Sequence, residues 1–322
     1  MQEIDLTRSL LALLEIRGVG PGAIKKNYAR ILASRSEAEV RDAMRPLFGE
    51  VDESEWRAAL SKGEQYLQRC AEVGVLAVAF GDSRYPSSLM ELSTPPPVLF
   101  CRGEVNLLAR PILGVIGTRK ATPFGETVAE RAGRYFSDRK VHLCNGLADG
   151  IDICAVTYDG AFLPGVVGVM ACGLDILESN VTSKRIAQRA QKLLEAGGLL
   201  VSEFPPGAVE DQNSVVASCR LQAGLSQALL LVQSSSEGGS RFTAGHFAKL
   251  PRKLAFVVPP ESRASETAFS ANQMLLKGRD GLAEFVGLKT CTTLKADLLP
   301  MRSKDDYDRI LHALRNDAST LI

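Results

Sequence analysis

With 322 residues, 45% of them hydrophobic and 23% charged, the chain has the composition of an ordinary globular protein, long enough for about two domains. That balance excludes a disordered chain, a collagen-like fibre and a coiled-coil rod, and no apolar run approaches the ~18 residues of a membrane span. Thirty-eight basic residues face 37 acidic ones, so a polyanion site is expected to be local, built from a few well-placed groups.

The opening MQEIDLTRSL sets acids before the first arginine and lacks a signal-peptide cleavage pattern. Residues 1–75 then read as a small all-helical unit. LTRSLLALLEI has apolar residues at helical spacing, with Thr7 placed to cap it. In RGVGPGAIKKNYARIL, Gly18 and Gly20 close one helix, and Pro21 and Gly22 open the next. Amphipathic stretches at Val40–Leu47 and Glu55–Leu67 complete the unit, with Trp56 as a core anchor. Ile16–Gly22 resembles a helix–hairpin–helix turn. It either offers backbone N–H groups to a DNA phosphate, with Lys25 and Lys26 close by, or merely reverses the chain.

From 76 to 288 the pattern changes. A proline cluster in PSSLMELSTPPPVLF marks an extended segment. The apolar runs ILGVIG, VHLCNG, GVVGVMACG, LLVSEF, ALLLVQS and KLAFVVP follow as strands. Helices are expected between them at Phe124–Phe136, Ile151–Phe162, Thr182–Ala196 and Thr243–Lys249. Apolar strands alternating with helices predict a doubly wound, mostly parallel α/β sheet covered on both faces. Residues 289–322 read as a linker and one helix, DDYDRILHALRN, too short to bury a core of their own and so a docking tail.

In such a sheet, ligands bind beyond the carboxyl ends of the strands. After the first parallel strand stands Gly117-Thr118-Arg119-Lys120-Ala121-Thr122-Pro123-Phe124-Gly125. Thr122 is a credible cap and Pro123 suits the first helical position, so backbone N–H groups and two cations would converge as an anion site. The alternative is a plain helix start beside a solvated arginine. The loop is not G-x-G-x-x-G, and Asn145-Gly146 stands where a ribose-binding acid would follow, which disfavours NAD. Asp152, in the loop NGLADGID, would lie in a first helical turn, a favourable place for an acid without any catalytic role. Asp175 and Glu203 could do acid–base work only if the fold brought them together. The turn Ser235-Ser236-Glu237-Gly238-Gly239-Ser240-Arg241 is a second phosphate cradle or a flexible loop; it lacks the G-K-[ST] ending of a P-loop. The seven cysteines form no C-x-x-C pair and the three histidines lie far apart, so neither a disulfide framework nor a metal site is expected, nor any cofactor; a reducing, cytoplasmic setting follows.

Taken in order, GDSRYPSSLMELSTPPPVLFCRGE, IGTRKATPFGETVAERAG, NGLADGID, CGLDILESN, GGLLVSEFPPG, RLQAGLSQALLLVQ, GGSRFTAG and ANQMLLKG resemble the DNA-processing protein A (DprA, or Smf) family. The resemblance implies a Rossmann-like domain that binds single-stranded DNA through phosphates without catalysing a reaction, dimerises, and helps load a RecA-type recombinase. By position, Arg119 matches the arginine of the family's glycine–serine–arginine motif, and Arg220 the last arginine of its arginine–asparagine–arginine motif. Lys120 and Arg241 complete the cationic set. Gly117, Thr118, Gly125, Asn145, Gly146, Gly173 and Gly238-Gly239-Ser240 are the expected positions of close backbone approach around the same phosphate pocket.

The chain also departs from the family. Ser218 and Cys219 fill the first two positions of the arginine–asparagine–arginine motif, and Asp149 stands in place of an arginine. Val156 replaces a histidine, and Glu178-Ser179 a tyrosine–proline, with Lys184 and Arg185 as nearby substitutes. The family's C-terminal winged helix is expected to be absent or cut to its first helix. Each lost cation should weaken binding and lower its salt slope by about one unit. These losses leave two other readings open: a nucleotide sensor or nucleotide-cleaving enzyme, and a degenerate protein-interaction module.

Overall fold

A computed structural model of the chain describes residues 5–49 and 51–319; the opening acid Glu3 lies outside them. Six helices come first: α1 (Leu6–Glu15), α2 (Pro21–Lys26), α3 (Tyr28–Ala33), α4 (Glu37–Ala43), α5 (Arg45–Phe48) and α6 (Glu53–Val73). The cap of α1 is Asp5, whose carboxylate accepts the Arg8 N–H at 2.9 Å; Thr7, the cap expected from sequence, lies inside the helix. Leu10 to Leu13 are buried where α1 packs along α6, and Trp56 is 3% exposed in the same core. The turn before α2 reverses the chain with Gly18 at φ 88°. Lys25 is used inside the protein, its Nζ donating to the main-chain oxygen of Met90 at 2.9 Å and also to that of Leu92. The hairpin thus docks on the proline-rich segment through a cation that sequence left available for DNA.

One nine-stranded sheet forms the rest of the core. Its strands are β1 (Leu76–Ala79), β2 (Val98–Gly103), β3 (Ile112–Ile116), β4 (His142–Asn145), β7 (Val166–Val169), β8 (Leu199–Ser202), β9 (Ala228–Leu231), β10 (Lys253–Val257) and β11 (Asp297–Met301); β5 (Thr157–Tyr158) and β6 (Ala161–Phe162) make a separate small hairpin. The order is β1-β2-β8-β7-β4-β3-β9-β10-β11. β2 is antiparallel to both its neighbours, and every pair from β8 to β11 is parallel. Every residue of β3, β4, β7, β8 and β9 is buried, which requires cover on both faces. Helices α7 (Pro123–Asp138), α8 (Ile151–Val156), α9 (Leu177–Asn180), α10 (Lys184–Glu195), α11 (Gln212–Leu225), α12 (Ser240–Phe247), α13 (Ser270–Leu275), α14 (Arg279–Phe285) and α15 (Tyr307–Ser319) supply it. This is the Rossmann-like α/β arrangement expected from the alternation of apolar runs.

Three expectations change. The helix expected over 151–162 stops at Val156, and Asp159 and Gly160, both at positive φ, turn the chain into the β5–β6 hairpin. That short α8 lies so close to α7 that a Cβ on Gly133 would stand 1.8 Å from the Ala155 oxygen. The segment 289–322 is not a docking tail alone, because Asp297–Met301 pairs with Lys253–Val257 as the last strand of the sheet. The two antiparallel strands β1 and β2 extend the other edge, where the sequence offered only a proline cluster.

Two buried polar side chains tie the loops to this frame. Arg252, 5% exposed, donates to the oxygens of Gly224 (2.9 Å), Ser226 (2.6 Å) and Ser88 (2.9 Å) and pairs with Glu91 at 2.9 Å. Asn272, fully buried, accepts the Ser234 N–H at 3.1 Å and donates to the oxygens of Val232 and Val257 at 3.0 and 2.8 Å. Arg252 satisfies carbonyls at the end of α11 and in the Ser87–Glu91 turn, and Asn272 those at the ends of β9 and β10.

Candidate nucleic-acid interface

The chain runs from β3 outward through β4, β7 and β8, then returns to β9 on the other side of β3. Strand order therefore reverses between β3 and β9, and the loops leaving their carboxyl ends diverge to leave a crevice. A cleft of about 710 Å³ lies there, bordered by the loops after β3, β4, β7 and β9 and by one face of α11. Gln233 locks two of those loops together. Its main-chain oxygen accepts the Thr118 N–H at 2.7 Å, and its side chain exchanges hydrogen bonds with Thr122, N–H to Oε1 at 2.9 Å and Nε2 to Oγ1 at 3.0 Å. The Ser234–Ser236 stretch is in turn held by α13, through Asn272 and through the Ser270 hydroxyl, which accepts the Ser236 N–H at 2.7 Å. Neither Gln233 nor Asn272 was singled out from sequence; a glutamine and serine directly after a wholly apolar strand were the signal.

Of the expected residues, the cleft gathers Gly117, Thr118, Arg119 and Lys120 from the loop after β3, Gly146 from the loop after β4, and Gly238, Gly239 and Ser240 from the loop after β9. Arg119 and Lys120 are exposed, and their side chains make no ion pair or hydrogen bond among the described residues. Ser240 shares a 2.6 Å hydrogen bond with Ser234, which holds the start of α12 in place. The far lip carries acids, Glu210 and Asp211, the latter capping α11 by accepting the Ser214 N–H at 2.6 Å. Charge across the cleft is therefore polarised, cationic on the β3 side and anionic at the start of α11.

Other expected residues stand elsewhere. Arg220 does not border the cleft. Val215, Ser218, Cys219 and Gln222 do, and a residue two positions from Ser218 projects from the opposite side of the helix. There the Arg220 guanidinium is ion-paired with Glu203, donates to the Thr94 hydroxyl at 2.6 Å and also reaches the Thr94 main-chain oxygen. Burial raises the Glu203 carboxyl above its ordinary range despite that partner. Gly173 is a packing position. Its N–H donates to the Ala208 oxygen at 2.8 Å, and a Cβ would stand 2.5 Å from the Pro205 oxygen. Gly125 likewise accommodates Gln233 against the start of α7, its N–H taken by Thr122. Asn145 is fully buried and shapes the next loop, donating to the Asp152 oxygen at 2.8 Å and accepting the Leu147 N–H at 3.0 Å. Arg241 borders a neighbouring hollow with His246 and Lys249, its guanidinium 5.0 Å from the Phe242 ring centre; Phe242, 37% exposed, borders both spaces.

The departures also acquire partners. Asp149 pairs with Arg189 at 2.6 Å and with the exposed Arg185 at 3.5 Å, which draws both arginines to itself. Val156 is fully buried. Asp175 and Glu203, the two acids considered for catalysis, sit in separate networks. Asp175 pairs with Arg69 at 3.3 Å and accepts from Asn180 and Gly207, whereas Glu203 is held by Arg220. Asp152 does border the cleft and is 9% exposed. Burial pushes its carboxyl up to about 7, opposed by the N–H groups of Ala148 and Gly146 and, at longer range, by Arg119 and Arg189.

Comparison with known proteins agrees with this architecture. The chain is 34% identical over 164 residues to Protein Smf of Escherichia coli, covering 50% of this chain and 42% of that protein. It thus spans well under half the length of the first curated relatives it matches. The crystal structure of DNA processing protein A from Streptococcus pneumoniae superposes with a TM-score of 0.61 at 19% identity, covering 94% of this chain and 95% of that one. A structure describing the single-stranded DNA binding mode of DNA processing protein A from Helicobacter pylori superposes with a TM-score of 0.56 at 21% identity, over 77% of this chain and 95% of that one. The profile of the family described as DNA recombination-mediator protein A matches residues 77–287, the whole span from β1 to the end of α14. On that match, which takes in both loops of the crevice, the chain belongs to the DNA recombination-mediator protein A family.

Proposed function

We propose that the chain binds single-stranded DNA at the carboxyl edge of its sheet, acts as a recombination mediator and catalyses no reaction of its own. The observation that carries this reading is the pair Arg119 and Lys120. They are exposed, unpaired among the described residues and held beside the switch-point crevice by the Gln233 lock. Two free cations on a loop held by hydrogen bonds suit phosphates, and each phosphate they neutralise makes binding weaken as salt rises. The Helicobacter pylori relative, described for its single-stranded DNA binding mode, supports the same reading. A homodimer working with a RecA-type recombinase in the cytoplasm completes the proposal. It is tested by fluorescence anisotropy with labelled oligo-dT and its duplex at two salt concentrations. Tight, salt-sensitive preference for the single strand is expected, and equal or absent binding at low salt would refute it.

A further inference from the structure

Outside the cleft, a hollow of about 420 Å³ lies between α12 and the chain leaving α14. Arg241 borders it from the first turn of α12, Gly245 from the next, and Lys249 from the turn that follows the helix. Val286, Gly287 and Leu288 form the other wall. Arg241 and Lys249 are exposed, and neither side chain makes an ion pair or hydrogen bond among the described residues. No acidic side chain borders the hollow among those residues. His246 adds a polar ring without charge near pH 7, since burial, then Lys249 and Arg220, push its imidazole down to about 4.

Glycine is a poor residue for a helix interior, and packing does not demand it at Gly245. A Cβ there would meet only Val286, at 3.5 and 3.8 Å, which is ordinary contact. What glycine preserves is open space between two cations one helical turn to either side. A hollow of this charge suits an anion. Phe242 is its partition from the cleft; the ring is 37% exposed and borders both spaces. Resting on the single-strand reading above, we propose that the strand leaving the cleft crosses Phe242, stacks a base on that ring and sets its next phosphates on Arg241 and Lys249. The shared wall favours a strand over a free ion. A chain already held at Arg119 and Lys120 presents its own phosphates to the hollow at high effective concentration. A free mononucleotide carries the same base and phosphate, and the test separates the two.

The test is anisotropy with labelled oligo-dT of about 4 nucleotides, enough for the cleft alone, and of about 16, each over a range of salt. The variants are Arg241→Ala/Lys249→Ala, Gly245→Glu and Gly245→Ala, with melting curves to confirm folding. On the long strand the double variant should make the salt slope shallower by about 1.4, or 0.7 for each phosphate lost. On the short strand it should match wild type. Gly245→Glu, which sets a carboxylate between the cations, should weaken long-strand binding, whereas Gly245→Ala should retain it. An unchanged slope on the long strand overturns the proposal and leaves binding in the cleft standing. An equal loss on the short strand also overturns it, because the two cations would then serve the cleft itself. A melting temperature raised by free dTMP in wild type but not in the double variant, with strand slopes unchanged, would make a mononucleotide the occupant and overturn the strand path. Binding of neither strand by wild type at low salt overturns the single-strand reading and this one with it.

Discussion

Two sets of basic residues singled out by sequence or found near its motifs have different fates. On the β3 loop, Arg119 and Lys120 project without ion pairs or side-chain hydrogen bonds among the described residues. On the far side of α11 and under the neighbouring loops, Arg220, Arg189 and Lys25 are consumed by Glu203, Asp149 and main-chain oxygens. A family motif gives a residue's place along the chain, but the partners that the fold supplies decide whether its charge is available. Arg220 shows this most clearly. It matches a DNA-contact position by sequence, yet its helical phase turns it away from the cleft and into a nearly closed ion pair. Inner arginines should therefore act on stability, and outer ones on binding.

Substitutions can break that contrast. The largest effect is expected from Arg220→Ala, which leaves the buried Glu203 carboxylate unpaired; removing one partner of a buried pair costs about 3–5 kcal/mol. Chemical denaturation should show this loss, and Glu203→Gln in the same background should recover part of it. Next comes Arg252→Ala, which strands the oxygens of Gly224, Ser226 and Ser88 and should cost about 3 kcal/mol. A denaturation midpoint within error of wild type would show that those carbonyls find other donors. Arg119→Ala should leave stability within about 0.5 kcal/mol and lower the salt slope of oligo-dT binding by about 0.7.

A separate prediction is a pH dependence. Asp152 holds its proton up to about pH 7 in the folded chain, against an ordinary value of 3.8. Between those values the folded state binds a proton that the unfolded chain releases, so this carboxyl's contribution to stability falls as pH rises through that window. Burial drives the shift; the N–H groups of Ala148 and Gly146, then Arg119 and Arg189, oppose it. Asp152→Asn lacks the titration. Its melting temperature should gain on wild type as pH rises from about 4 to about 7 and then run parallel. Parallel curves throughout would mean that the carboxyl is ordinarily ionised.

Much of the fold was legible because apolar strands bounded by caps and glycines obey local rules: Thr122 and Pro123 start α7 as expected, and six strands of the parallel sheet lie where the apolar runs are. The edges were not. β11, with burial alternating along Asp297–Met301, has little apolar signal and takes its structure from pairing with β10. The helix drawn to Phe162 failed because a turn at Asp159-Gly160 outweighed helical spacing. At the crevice the sequence pointed to the right loops, since strand ends are where ligands bind. It could not distinguish Gly146, which borders open space, from Gly173 and Gly125, which are packed against neighbours. Nor could it reveal that Gln233 and Asn272, distant along the chain, hold the loops in register.

The central claim is that only the outer cations meet DNA, and the salt dependence of oligo-dT binding tests it most directly. The comparison is between Arg119→Ala/Lys120→Ala and Arg220→Gln, each checked for folding. The account predicts that the double variant lowers the slope by about 1.4 units for two lost phosphate contacts on a single strand, while Arg220→Gln leaves it at the wild-type value. A lower slope in Arg220→Gln with an unchanged slope in the double variant would contradict it, and would place the phosphate path on the other side of α11.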